Sequence, residues 1–345
     1  MKLPLLTTLL SLLSISGSPG LTHAAIPPAA LSSPPATTLS QQGRDPAQFP
    51  GYVEQLKATA RQQGFNQATI DAAFTGIHFV DRAITSDRSQ LEHKVTLNDY
   101  LSRVLTVGKI EKGRDKLTEY RTQLESVAAG SGVSPAFIVA LWAMESQFGT
   151  IQGKEDVISA LATLAFEGRR EAFFTKELMA ALSIIQQQGM AADALKGSWA
   201  GAMGQSQFMP SSFLNYGRDG DGDGKIDIWN NVDDVFASIA NYLQKEGWKA
   251  GQGWGSEVTL PSGFDSGLSG LKTAQAKTPA QWQQLGVVLK TTPQGDAPGR
   301  AWIVTPEDGD GRSFMVYDNF RTLMHWNRSY YFAISIGMMA DAIAQ

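Results

Sequence analysis

The chain has 345 residues, 43% of them hydrophobic, enough for one large core or two to three smaller ones. Its formal net charge of −4, from 29 basic and 33 acidic side chains, offers no basic excess for nucleic acid and no polybasic run for a membrane surface. The absence of cysteine excludes disulfides, thiolate catalysis, Cys-ligated zinc and a cysteine-linked lipid anchor.

At the start, Lys2, the apolar run 3–15 and the small residues ending Thr22-His23-Ala24-Ala25 have the three parts of a secretory signal peptide over 1–25, with cleavage expected near Ala24 or Ala25. The run is short for a bilayer span. Loss of Lys2 moves the formal charge from −4 to −5. Residues 26–48, rich in Pro, Ala, Ser and Thr, bury too little apolar surface to fold and read as a flexible leader.

A helical subdomain is predicted over 49–130, where Tyr52, Leu56 and Ala60 recur at four-residue spacing and 68–74 and 100–107 offer further apolar faces. Segment 131–248 reads as an all-helical core. Its first helix has Ser134 as N-cap, Pro135 at the first helical position and Gly149 as stop. Helices follow over 157–164, 173–188 and 235–245, the last stopped by Gly247. Glycines 251, 253, 255, 263 and 267 then open a small β-rich segment, 249–318, with strand-like pieces at 286–291, 301–305 and 314–317. The final segment, 319–345, returns to helix over 331–343 and is expected to pack back on the core.

On the helix after Ser134, Phe137, Leu141, Met144 and Phe148 form an apolar stripe that Glu145 borders. Such a carboxyl is partly desolvated, which raises its pKa toward what a general acid needs. An arbitrary glutamate at a helix edge more often just faces water. Residues 197–213 supply closely spaced glycines, Ser and Gln side chains, and Trp199 and Phe208 as sugar platforms; tight helix packing is the bland alternative. Glu155, Asp156, Glu167 and Glu171 sit among polar neighbours and read as solvent-facing, so no second catalytic carboxylate stands out.

The run from Asp219 to Asp227 has the layout of an EF-hand loop: Asp219, Asp221, Asp223 and Asp227 as oxygen ligands, the Lys225 carbonyl between the last two, and Gly224 at the sharp turn. Asn230 stands where the bidentate glutamate is usual. An Asp-Gly turn cluster without an ion is the alternative.

Ala143-Met144-Glu145-Ser146-Gln147-Phe148-Gly149, with 201–212 (GAMGQSQFMPSS), resembles the lytic murein transglycosylase B family, glycoside hydrolase family 103. The likeness runs from Asp87-Arg88-Ser89-Gln90 through Phe166-Glu167-Gly168-Arg169-Arg170 to Trp326-Asn327-Arg328-Ser329. It implies a mainly α fold: a lysozyme-like helical core, a flanking helical subdomain and a small β-rich insertion. It implies that Glu145 is the catalytic glutamate, that Ser198 and Gln207 surround the scissile sugar, and that Arg169 and Arg170 lie in the substrate groove. Tyr100, Phe173, Tyr242, Trp326, Asn327 and Tyr331 fall at or near groove positions, with Phe173 and Trp326 where relatives often carry tyrosine. The family's extended metal loop further points to Asp233 or Asp234 as a calcium ligand, in a structural role.

The implied activity is non-hydrolytic cleavage of the MurNAc–GlcNAc bond of peptidoglycan, giving 1,6-anhydro ends without a catalytic cofactor. A monomeric periplasmic protein of a Gram-negative bacterium is expected, acting on glycan strands, with cell-wall synthesis or division proteins as partners. Two other readings stay open: a hydrolytic muramidase helped by Asp227 or Glu171, and a non-catalytic peptidoglycan- or calcium-binding module.

Overall fold

The computed structural model describes residues 43–89, 95–296 and 298–345. The signal peptide, the leader up to residue 42 and Gln90 lie outside them. The end of the expected leader is part of the fold: Asp45 caps a short 3-10 turn, Pro46–Gln48, and Arg44 pairs with Glu171 at 2.6 Å.

Tyr52, Leu56 and Ala60 line the buried face of α1 (Phe49–Gln62), as their spacing predicts. Asn66 caps α2 (Gln67–Phe74), which α3 (Asp81–Ser89) follows. Thr96 caps α4 (Leu97–Val104) and Thr106 caps α5 (Val107–Glu119), each hydroxyl accepting an amide three residues on. Segment 100–107 is therefore not one apolar helix face, because Thr106 starts a new helix inside it. α6 (Arg121–Ser131) ends on Gly132 in the left-handed region.

The central element is α7 (Pro135–Ser146), with Pro135 in its first turn and Ser134 at the N-cap position making no side-chain cap bond. Every residue from 136 to 146 is buried. The expected stripe is thus a helix apolar on all faces, enclosed by its neighbours, and Glu145 borders no solvent-facing side. β1 (Glu155–Asp156) leads into α8 (Val157–Glu167), which Asp156 caps, and α8 packs along α9 (Glu171–Gln188). β2 (Lys196–Gly197) pairs antiparallel with β1. α10 (Pro210–Tyr216) and α11 (Val232–Lys245) complete the helical layer, α11 packing on α6 and α7.

Beyond Gly247 come β3 (Gly255–Thr259), α12 (Pro279–Gln284), β4 (Val288–Leu289), β5 (Trp302–Val304) and β6 (Ser313–Val316). They form an antiparallel sheet in the order β4-β3-β6-β5. Alternate side chains go to different cores: Trp302, Val304, Phe314 and Val316 join the main core, whereas Val258, Ile303 and Met315 pack with Trp282 in a second, smaller one. Burial on both faces makes β5 and residues 314–316 of β6 continuously apolar, which is why they are legible as strands. β3 (GSEVT) has no such run and takes its order from partners on both sides.

α13 (Asp318–Trp326) and α14 (Tyr330–Ala344) carry the chain back, α14 lying against α7. Trp254 packs on Gly337 of α14 so closely that a Cβ there would stand 2.2 Å from the indole. Among the described residues no single helix is long and apolar enough to cross a membrane.

Candidate active site

α7 ends three residues before the expected stop. Gln147, Phe148 and Gly149 turn in succession through φ of 50°, 58° and 78°. Two non-glycine residues in the left-handed region cost about 1 kcal/mol or more each, and such strain is held only where packing over-determines it. The turn is held by the Phe148 amide, which donates to Trp142 O at 3.2 Å, and by the Gly149 amide, which donates to the Ser146 hydroxyl at 3.0 Å. Gln205 packs beside it, its Oε1 accepting the Trp142 indole N–H at 2.8 Å and its Nε2 donating to Trp229 O at 3.0 Å. Gly149 is required beside it, since a Cβ would lie 2.2 Å from Gln205 Oε1.

Glu145, in the last turn of α7, is only 9% exposed. Trp326, the last residue of α13, donates its indole N–H to Glu145 Oε1 at 2.7 Å. Burial pushes the carboxyl up from its ordinary range to about 8, and the Trp326 bond, which favours the anion, pulls against that rise. Among the described residues no charged group contributes to the shift, and Oε2 makes no hydrogen bond.

Trp326 belongs to an aromatic wall, with ring centroids 4.6 Å from Tyr242 and 5.3 Å from Phe208. This wall, with Arg170, Phe173 and Gln207, lines a cavity of about 230 Å³. Trp199 and Phe208 border it too, but as buried walls more than open platforms. Phe173 packs edge-on to Phe174 at 5.1 Å and beneath the Arg170 guanidinium at 5.9 Å. On another side of the site, the Tyr100 and Tyr331 rings lie 5.7 Å apart. Burial raises the Tyr100 phenol pKa, against an opposing influence of Ser335, so it stays protonated. The Tyr100 hydroxyl and Asn327 Oδ1 are buried without a partner of hydrogen-bond geometry. The Tyr331 hydroxyl is engaged elsewhere, donating toward the carbonyls of Glu307 and Asp308 at 2.8 and 3.1 Å.

Residues 203–208 form a tight hairpin, not helix packing: Met203 and Phe208 exchange backbone bonds of 2.8 and 3.1 Å. The glycines here make room for the protein itself, not for a ligand: a Cβ on Gly204, in the hairpin, would stand 2.6 Å from Ile228 O, and one on Gly201, just before it, 2.5 Å from Leu161 of α8, where the packing is against a helix. Gln207 (φ 50°) donates through Nε2 to Gly204 O at 2.8 Å and Gln152 O at 3.1 Å. The buried Ser198 hydroxyl accepts the amides of Ala200 and Ala202 at 3.3 and 3.1 Å and does not line the cavity.

Arg169 and Arg170 both clasp the buried carboxylate of Asp87, a residue within the resemblance whose role no local sequence pattern indicates. Arg170 reaches the cavity and Arg169 does not. Glu177, which no sequence motif marks, has a buried carboxylate that accepts the Ser211 amide (2.9 Å) and hydroxyl (2.7 Å) at the start of α10.

The acids expected to face solvent are mostly engaged. Glu167 is buried and accepts Arg88 at 3.1 Å, Glu171 holds Arg44 and the Tyr52 hydroxyl (2.8 Å), Glu155 pairs with Arg82 at 2.9 Å, and Asp156 caps α8. In the EF-hand-like loop, carboxylate oxygens of Asp219, Asp221 and Asp223 lie within 4.8 Å of one another, a donor set suited to a hard divalent cation. Asp227, Asp233 and Asp234 are not in that group. Asp227 accepts the Trp229 and Asn230 amides, both at 2.9 Å. Asp234, fully buried, accepts the Gly220 and Asp227 amides at 2.7 and 2.6 Å and braces the loop from within. The Lys225 amide donates to Asp223 at 2.8 Å, and Asp233 lies half-buried on α11.

A family model described as "Transglycosylase SLT domain" matches residues 48–341. Membrane-bound lytic murein transglycosylase B of Escherichia coli (strain K12) is 28% identical over 327 residues, covering 90% of this chain and 87% of that protein. Among solved structures, SltB3 from Pseudomonas aeruginosa in complex with NAG-NAM-pentapeptide is 38% identical with a TM-score of 0.80, covering 86% of this chain and 79% of that one. The same protein with NAG-anhNAM-pentapeptide gives 0.79 at the same identity and coverage. The Escherichia coli lytic transglycosylase Slt35 in complex with calcium is 27% identical with a TM-score of 0.72, covering 91% of this chain and 98% of that one.

Proposed function

Because the chain belongs to the transglycosylase SLT domain family, we propose that it is a lytic transglycosylase that cleaves peptidoglycan between NAM and NAG, with Glu145 as the one carboxyl that moves the proton. The observation that carries this is the setting of Glu145: buried, raised to about 8, and held at one oxygen by Trp326. It is protonated at neutral pH, as a general acid must be, and Oε2 is the oxygen left to carry the transferable proton.

The steps balance with that single carboxyl. Glu145 gives its proton to the glycosidic oxygen as the C1–O bond breaks, and the acetamido carbonyl of the NAM residue supports the developing positive charge at C1. The Glu145 carboxylate, favoured at that moment by the Trp326 N–H, then takes the proton of the C6 hydroxyl of the same sugar. The C6 oxygen bonds to C1, closing a 1,6-anhydro ring, and Glu145 is protonated again. No water is consumed, and intramolecular attack profits from high effective concentration. A hydrolytic route has less support: the two carboxylates that could help it, Asp227 and Glu171, are tied to backbone amides and to Arg44 and Tyr52. The anhydro sugar bound to the related SltB3 supports ring closure.

Phe173, Tyr242, Trp326, Arg170 and Gln207 would hold glycan in the aromatic cavity, Tyr100 and Asn327 would present their unpartnered polar atoms to it, and Ser198, Arg169 and Tyr331 would position the walls. Asp219, Asp221 and Asp223 would hold calcium in a structural role, as suits kinship with a calcium-bound relative. The cell-wall substrate of the relatives supports a periplasmic location. The test is whether release of glycan fragments, and their chemical form, depends on Glu145.

A further inference from the structure

A second cavity, of about 820 Å³, lies beside the segment 149–154 that leaves α7. Its lining combines the apolar side chains of Ile151, Met190 and Trp229 with the cations Arg82, Lys154, Lys196 and Lys225. The single lining carboxylate, Asp227, has one oxygen already committed to two backbone amides. Arg82 pairs with Glu155 at 2.9 Å, and Lys196 stands 3.6 Å from Asp156 and stays half-exposed. Lys154 and Lys225 make no ion pair among the described residues. Nor do the backbone N–H groups of Gln152, Gly153 and Lys154 donate to an acceptor among them. At Gly153 (φ 84°) a Cβ would stand 2.0 Å from Gly197 O, so this stretch of wall stays bare backbone.

Four cations, of which Lys154 and Lys225 have no ion-pair partner among the described residues, and free amides beside apolar side chains favour a ligand that alternates carboxylates with apolar side chains. The volume exceeds what a lone small anion needs, and spaced cations suit an extended chain. The place suggests where that chain is attached: Gln207, which lines the aromatic cavity, donates at 3.1 Å to the carbonyl of Gln152, which lines this one. We propose that the cationic cavity binds the acidic peptide borne by a muramoyl residue, so that the enzyme reads peptide and glycan through adjoining sites. This rests on the transglycosylase reading above.

The experiment uses the full chain with Glu145→Gln, which removes turnover, and measures affinity for NAG-NAM-pentapeptide and for NAG-NAM without peptide. The proposal expects tighter binding of the peptide-bearing ligand, an advantage that shrinks as salt rises. It expects Lys154→Glu with Lys196→Glu to lower affinity for that ligand by about tenfold while leaving the peptide-free ligand unchanged. The milder pair Lys154→Gln and Lys196→Gln should give a smaller loss in the same direction, which separates charge from misfolding. Equal affinity for the two ligands, or equal losses on both, overturns the proposal and leaves the transglycosylase reading standing. Failure of the unmodified cavity to bind either ligand overturns both.

Discussion

The indole N–H of Trp326 donates to Oε1 of Glu145 at 2.7 Å, across 181 residues of sequence. It opposes the effect of burial: desolvation favours the neutral acid, whereas the N–H favours the anion. The role proposed for Glu145, acid in one step and base in the next, calls for both influences, because either alone would make one of its two forms too stable.

Trp326→Phe keeps the ring and loses the donor. The pH at which kcat/KM falls on the alkaline side should move upward from about 8, since the group that lowers the Glu145 pKa is gone, and kcat should fall by about tenfold. Trp326→Tyr, which brings back a donor, should recover part of both. An unmoved alkaline limb would mean that the bond does not tune Glu145.

Stability should carry the same signature. Glu145 is raised in the folded protein from 4.5 to about 8, so its contribution is fully present below pH 4.5 and is lost as pH rises through about 8. Glu145→Gln removes that loss. Its melting temperature should exceed that of the unmodified protein above pH 8 by an amount equivalent to a few kcal/mol, roughly 2 to 5, and the gap should narrow toward pH 4.5. A gap independent of pH would contradict the assignment.

Asp87→Asn leaves the Arg169 and Arg170 guanidiniums side by side without their shared, buried counter-charge. Thermal melting should show a loss of about 3 kcal/mol. KM should rise as well, because Arg170 walls the aromatic cavity. Unchanged melting would mean that the clasp does not hold this edge of the site.

Calcium should raise the melting temperature, the equivalent of about 2.7 kcal/mol at a hundredfold excess over its dissociation constant. Asp219→Asn should abolish the rise, since Asp219 supplies one of the three converging carboxylates. Turnover well below the melting temperature should be the same with and without the ion. A calcium-dependent kcat there would contradict a purely structural role.

Much of this was legible in the chain, for identifiable reasons. The mainly helical class followed from periodicity, and β5 and β6 showed as apolar runs because both faces of the sheet are buried. Glu145 was picked out by its neighbours, but on a wrong picture: α7 is enclosed on every side, so the desolvation is far deeper than at a helix edge. The Trp326 contact, the Asp87 clasp and the Trp142–Gln205 bond beside the strained turn at 147–149 join residues far apart in sequence, and no local pattern encodes such pairings. Thr106 hid a helix boundary because its cap reads only against the preceding turn, and β3 hid because its partners, not its own residues, order it.

The most direct test of the central claim is mass spectrometry of the fragments that the protein releases from purified peptidoglycan, beside those from Glu145→Gln. The account predicts NAM ends in the 1,6-anhydro form, lighter than a reducing end by one water, and no fragments from the variant. Reducing ends, or anhydro fragments that persist without Glu145, would contradict it.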